Sequence, residues 1–204
     1  MRDVRRFLRA AGRLDTLRHA AQVNAVARRL WIRPTRRVRW AGGEGRFAAL
    51  DLACTAHDMA VVAPLAEIVS VAEALGVALT DADRAIPQVV HGAVAAAVLE
   101  QRLGVTDAGV LDAVRYHTTL RAGASRLEQV VFIADKLALD PTARHTGFHA
   151  ALLAARDTAS LRELCLIYLD WVVEVAPGLG WKAHPQAREA RDELRALERG
   201  RSRR

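Results

Sequence analysis

Apolar residues in this chain recur at intervals of three and four almost from end to end, whereas alternating runs of β-branched residues bounded by turns are scarce. A chain patterned in this way buries helical stripes and has little with which to build a sheet, so the expected fold class is all-α. The expected helices cover 3–30, with a break near Gly12, then 47–61, 64–75, 86–103, 107–118, 125–138, 147–156, 159–175 and 184–199. Gly104 follows the 86–103 segment, and Asp107, Ser125 and Ser160 stand where N-caps are wanted. At 204 residues, 51% of them apolar, the chain has material for one core. The expected organisation is a single domain over 1–204, with its core at about 14–176 and a basic tail at about 199–204.

The same reading narrows the setting. No apolar run approaches the length of a membrane span, and the N-terminal MRDVRRFLRAAGR has no secretory apolar segment, so a cytoplasmic protein without a membrane partner is expected. Cys54 and Cys165 each lie in an apolar stretch and read as small buried hydrophobes, which argues against a disulfide framework or a thiolate zinc cluster. Charge is concentrated at the ends. Residues 1–39 hold twelve Arg against Asp3 and Asp15, and 188–204 hold seven Arg against four acids. No aromatic residues interleave with these arginines to stack bases, so nucleic acid is not the expected partner.

More informative are polar residues on apolar helix faces. His117 lies three, four and seven residues after Val114, Ala113 and Val110, which turns it inward. Asp135 stands likewise behind Phe132 and Val131; His91 leads Val94, Ala95 and Val98; His57, followed by Asp58, trails Leu50, Ala53 and Cys54; His19 precedes Val23 and Val26. One inward histidine is ordinarily a hydrogen-bonded core residue. Four of them with two aspartates make better sense converging on a cation, because an unpaired buried carboxylate is costly. Imidazole and carboxylate without thiolate suit iron, manganese, zinc, cobalt or nickel. Six side chains exceed one tetrahedral shell, and two ions sharing them would activate water and clamp phosphoryl oxygens.

His19, His57-Asp58 in LACTAHDMA, His91-Gly92 in VVHGA, His117 in RYHTT and Asp135 in FIADK resemble, in this order, the HD-domain metal-dependent phosphohydrolases. More narrowly they resemble the YqeK-type bacterial symmetrical bis(5'-nucleosyl)-tetraphosphatases, and VTDAGVLDAVRYHTTLRAGASRLEQVVFIADK follows that family's pattern. The likeness extends from about Leu17 to about residue 194. It implies an all-α HD-domain helical bundle with a metal site at its centre. It also implies a two-metal centre, of iron or else manganese or another divalent transition metal, that cleaves diadenosine tetraphosphate into two ADP. His19, His57, Asp58, His91, His117 and Asp135 would be the ligands, with Asp58 the bridge and Asp58, His57 and His91 the catalytic group.

The departures fall on phosphate-handling positions. The family's Lys three residues after the HD aspartate is Val61, its Arg three residues before the first His is Thr16, and its Gly after HTT is Leu120. Candidate substitutes in contact with the nucleotide substrate are Arg18, Arg115, Thr118, Thr119, Arg121, Arg126, Lys136 and Arg144. Alternatives are an HD phosphohydrolase acting on other nucleotides and a weakened metal- or nucleotide-binding module, for which Val61 and Leu120 would mark loss of turnover. His145, His149 and His184 are expected at the surface. Trp171 and Tyr168, in LCLIYLDWVVEV, read as core or as the contact of a homodimer, and Trp31 and Trp40 as loop packing or cover for a nucleotide.

Overall fold

Gly12 adopts a left-handed φ of 71° and divides the first amphipathic run into α1 (Arg2–Ala10) and α2 (Leu14–Trp31). Val4 and Leu8 anchor α1, while its arginines are exposed. The computed structural model describes residues 1–32, 44–139 and 147–202, with only the backbone of 44–46 and 201–202. Arg144, His145 and Trp40 lie outside the described residues.

After α2 come α3 (Glu44–Ala56), α4 (Ile68–Ala74), α5 (Asp81–Ala85), α6 (Val90–Leu103), α7 (Ala108–Arg115), α8 (Arg126–Leu137), α9 (Gly147–Ala155), α10 (Leu161–Asp170) and α11 (Pro185–Ser202). The fold is all-α. Ser125 and Ser160 form capping boxes with Glu128 and Glu163, Asp107 accepts from the Val110 amide at 3.2 Å, and Gly104 closes α6 at φ 65°. α5 is absent from the expected set, although Thr80 and Asp83 spell its capping box. α11 extends through Ser202, beyond the boundary of the expected tail. Among the described residues no single helix is long and apolar enough to cross a membrane.

α2, α3, α6, α7 and α8 pack on one another, and α10 joins α8 to α9 and α11. Phe132, Phe148, Tyr168 and Trp171 interlock edge to face, with Phe148 4.7 Å from Tyr168 and 5.0 Å from Trp171, so Tyr168 and Trp171 are core residues. Cys54 and Cys165 are buried free thiols, and burial pushes both of their pKa values up.

Two backbone features shape the region around the candidate ligands. A Cβ on Gly92 would lie 2.6 Å from the Arg115 carbonyl oxygen and 2.9 Å from that of Val114, so α6 meets α7 at a distance only glycine permits. Gly92→Ala is expected to destabilise the fold by about 1–3 kcal/mol and to weaken metal retention, since main-chain atoms cannot turn aside as side chains can. Urea unfolding and chelator competition measure the two effects. The second feature is Leu120, at φ 58° with a fully buried side chain. The left-handed conformation costs roughly 1–2 kcal/mol, and burying the leucine returns about 1.5–3 kcal/mol. Leu120 is therefore a core anchor in a turn of the kind that favours glycine.

Candidate metal centre

Five helices each deliver part of the site. His19 comes from the middle of α2, His57 and Asp58 from the turn that ends α3, His91 from the first turn of α6, His117 from the turn after α7 and Asp135 from α8. α3 and α7 stop sooner than expected, at Ala56 and Arg115, so the HD pair and His117 stand just past helix C-termini. There the main chain leaves the cylinder while a hydrogen bond such as His57 N–H to Ala53 O, 3.0 Å, still directs the side chain inward.

Three imidazoles are fixed identically. The Nδ1–H groups of His57, His91 and His117 donate to the carbonyls three residues earlier, Cys54 at 2.9 Å, Gln88 at 2.6 Å and Val114 at 2.7 Å. A carbonyl only accepts, so Nδ1 carries a proton in each ring and Nε2 is the nitrogen that faces the centre. Main-chain partners of this kind orient metal-binding histidines.

Asp58 is the hub. Its Oδ1 lies 3.1 Å from His91 Nε2 and 3.5 Å from His117 Nε2, and its Oδ2 lies 3.5 Å from His57 Nε2 and 3.9 Å from His19 Nε2. Asp135 Oδ1 is 2.9 Å from His19 Nε2 and 3.6 Å from His57 Nε2. Two adjacent donor groups result, His19–His57–Asp135 and His57–Asp58–His117, in each of which the ligand atoms lie within 4.8 Å of one another. The side chains of His57, His117 and Asp135 form a buried floor at 0%, 2% and 10% exposure, whereas those of His19, Asp58 and His91 are partly exposed at 20–24%.

The donor set fits a cation. His57 Nε2 is buried without a hydrogen-bond partner among the described residues, and the Nε2 atoms of His91 and His117 face each other at 2.9 Å, lone pair to lone pair in the neutral tautomers. Burial alone would raise the carboxyl of Asp58, but His57, His117 and His91 hold it well below the usual range; Lys136, His19 and His57 do the same for Asp135. Burial presses His57 down, yet Asp58 and Asp135 outweigh it and raise His57 to about 9, while burial lowers His117 to about 4.

At neutral pH His117 is thus neutral, and His57 carries a proton that a metal bound there would displace. Apparent affinity is expected to rise with pH, about tenfold per unit for that proton, until His57 is neutral near pH 9. Calorimetric titration in buffers of different ionisation enthalpy should show about one proton released from His57 at pH 7. No release would place His57 outside the ligand set.

The expected cations separate sharply. Arg18 is exposed beside His19, and the Thr118 hydroxyl lies 3.3 Å from His117 Nε2. Lys136 is 5% exposed and points inward, with Nζ donating to Asp135 Oδ2 at 2.6 Å and to the His117 carbonyl at 3.1 Å between the rings of Phe132 and Tyr168. It braces two candidate ligand residues and points inward. Arg121 is held by Glu128 at 2.7 Å and Asp112 at 2.9 Å, Arg126 donates to the Leu30 and Trp31 carbonyls, and Thr119 is buried against Gln186. Arg115 lines a separate cavity. Trp31 is buried under Arg126, which favours packing over a nucleotide cover. His149 and His184 are not at the surface but 5% and 4% exposed: His149 faces inward on α9, and His184 Nδ1 accepts from the Gln186 amide at the start of α11.

No protein-family model matches the sequence. The chain is 31% identical over 138 residues, 68% of each chain, to an uncharacterized protein in the pepC 5' region of Lactococcus lactis subsp. cremoris. It is 34% identical over 87 residues to the symmetrical bis(5'-nucleosyl)-tetraphosphatase of Bacillus subtilis, spanning 42% of this chain and 45% of that one. It is 44% identical over 48 residues to the Staphylococcus aureus enzyme of the same name, spanning 24% and 25%. The crystal structure of a predicted HD superfamily hydrolase involved in NAD metabolism from Clostridium acetobutylicum superposes with a TM-score of 0.78 over 96% of both chains at 23% identity, which shows the shared fold. Relatives of this kind and a common architecture over nearly the whole length make this chain a member of the HD-domain phosphohydrolases, a family of metal-dependent hydrolases.

Proposed function

We propose that the chain hydrolyses dinucleoside tetraphosphates symmetrically, converting diadenosine tetraphosphate into two ADP at a two-iron centre formed by His19, His57, Asp58, His91, His117 and Asp135. The observation that carries the reading is the place of Asp58, within 4 Å of all four imidazoles and partly exposed to solvent. The names of the Bacillus and Staphylococcus relatives supply the substrate class. A pair of ions in the two donor groups would supply an activated water and withdraw charge from phosphoryl oxygens. Imidazole and carboxylate donors without thiolate suit iron or manganese.

The chain's own residues do the rest. Asp58, a member of the second group that also approaches His19 of the first, would bridge two ions held there, with His57 and His91 beside its two oxygens and the buried floor shielding the site from below. Arg18, exposed and next to His19 in the chain, and Thr118, beside His117 Nε2, would meet phosphate oxygens, with Val61 offering none. Free buried cysteines accord with a reducing compartment such as the cytoplasm. The test is anaerobic purification with metal quantification, followed by product analysis after incubation with diadenosine tetraphosphate. ADP as the sole nucleotide product supports the proposal; ATP with AMP, or intact tetraphosphate beside bound metal, overturns it.

A further inference from the structure

A second cavity, of about 360 Å³, opens on the other side of the α6–α7 pair. None of the six candidate metal ligands lines it. Ala93 does, and two residues of helix rotate it some 200° from His91. Leu75, Val77 and Leu79 form an apolar wall, Gln101 and Gln186 border it, and Arg115 enters from the end of α7.

The charges around this cavity are unevenly satisfied. Asp83 is spent locally, since its Oδ2 accepts from the Thr80 amide at 2.8 Å and hydroxyl at 2.6 Å while its Oδ1 faces His184 Nε2 at 3.3 Å. Glu100 is exposed at the rim. Arg115 is half-buried, its Nε is shielded from solvent without a hydrogen-bond partner, and no carboxylate lies within 4 Å of it among the described residues. Elsewhere arginines at comparable burial are matched: Arg121 to Glu128 and Asp112, Arg126 to two carbonyls. Arg115 is the one lysine or arginine among the residues that line the cavity, and it has no carboxylate partner there, so the cavity suits an anionic ligand.

We infer that this cavity is a second ligand site, distinct from the metal centre, which takes a nucleoside mono- or diphosphate with its phosphate on Arg115. The apolar wall suits the base, and Gln186 together with Gln101 Oε1, whose amide nitrogen is already given to the Leu75 carbonyl at 2.8 Å, suits its polar edge. The volume lies in the range of small-molecule sites. Occupation would be felt at the metal centre, because the Arg115 and Val114 carbonyls are the surface on which Gly92 rests and Val114 O also fixes His117 Nδ1. The choice of a nucleotide rests on the proposed hydrolysis; the choice of an anion at Arg115 does not.

The test is equilibrium dialysis of ADP and of adenosine against the full chain stripped of metal by chelator. The expected result is a single class of ADP site, weakened about tenfold or more in Arg115→Met and in the cavity-filling Ala93→Leu, and unchanged in Asp58→Ala. Adenosine should bind at least about tenfold less tightly than ADP. Unfolding midpoints confirm that each variant is folded. ADP binding that survives Arg115→Met, that is lost in Asp58→Ala, or that fails to appear in stripped wild type overturns the inference, as does equal affinity for adenosine. Binding at Arg115 in a protein that leaves diadenosine tetraphosphate intact would uphold the cavity while the proposed hydrolysis falls.

Discussion

Asp58→Ala is expected to lower tetraphosphate hydrolysis by about a thousandfold or more and to reduce bound metal to one ion per chain or fewer. The size follows from position. Asp58 approaches four imidazoles, with distances of 3.1 Å to His91, 3.5 Å to His57 and His117 and 3.9 Å to His19, whereas Asp135 approaches only His19 and His57. Without it, His91 and His117 face each other at 2.9 Å with no anion between them and the second donor group loses its only carboxylate. An exposed aspartate would be worth little, but this one faces the buried imidazoles of His57 and His117, where charge is poorly screened. Asp58→Asn keeps the shape and removes the charge, and it should fail nearly as badly if charge is what matters. Turnover and metal content measured side by side decide the matter. Full turnover in both variants would remove the centre from the chemistry.

Much of this site was legible in the sequence because a helix fixes faces. The spacing of His117 behind Val114, Ala113 and Val110, or of Asp135 behind Phe132 and Val131, specifies an inward direction without knowledge of what lies opposite. Six residues chosen on that ground meet at one place. The roles of the cations were not legible, because an arginine's partner is set by tertiary contacts. Arg121 looks available in the string RYHTTLRAG, yet it is held by Glu128 seven residues on and Asp112 nine before. Leu120 looks like a loss beside the family's glycine, and only its φ of 58° and complete burial show what keeps it there. His184 could have been placed with α5, since Thr80 and Asp83 spell a capping box, but nothing local announces that Asp83 will face a histidine a hundred residues away.

Lys136 offers the sharpest test of such a reassignment. Lys136→Met is expected to cost about 3–5 kcal/mol of stability in the metal-free protein, because it removes the fully charged lysine partner of a buried carboxylate and leaves it only the His19 and His57 imidazoles. The lysine is 5% exposed and donates to Asp135 Oδ2 at 2.6 Å. Burial alone would lower its pKa, but Asp135 and Tyr168 raise it, and Asp135 is held well below the carboxylate range, so both stay charged at neutral pH. The folded pKa of Asp135 lies below its unfolded one, so the pair's contribution is complete above the ordinary carboxylate range and is lost as pH falls through the depressed value. Metal binding supplies a counter-charge on the opposite oxygen, so the loaded variant should recover much of the loss, and the gap between stripped and loaded unfolding midpoints should be wider than in wild type. A substrate contact would behave in the opposite way. It would raise KM and leave the stripped midpoint where it was, and that outcome would return Lys136 to the phosphate-binding set.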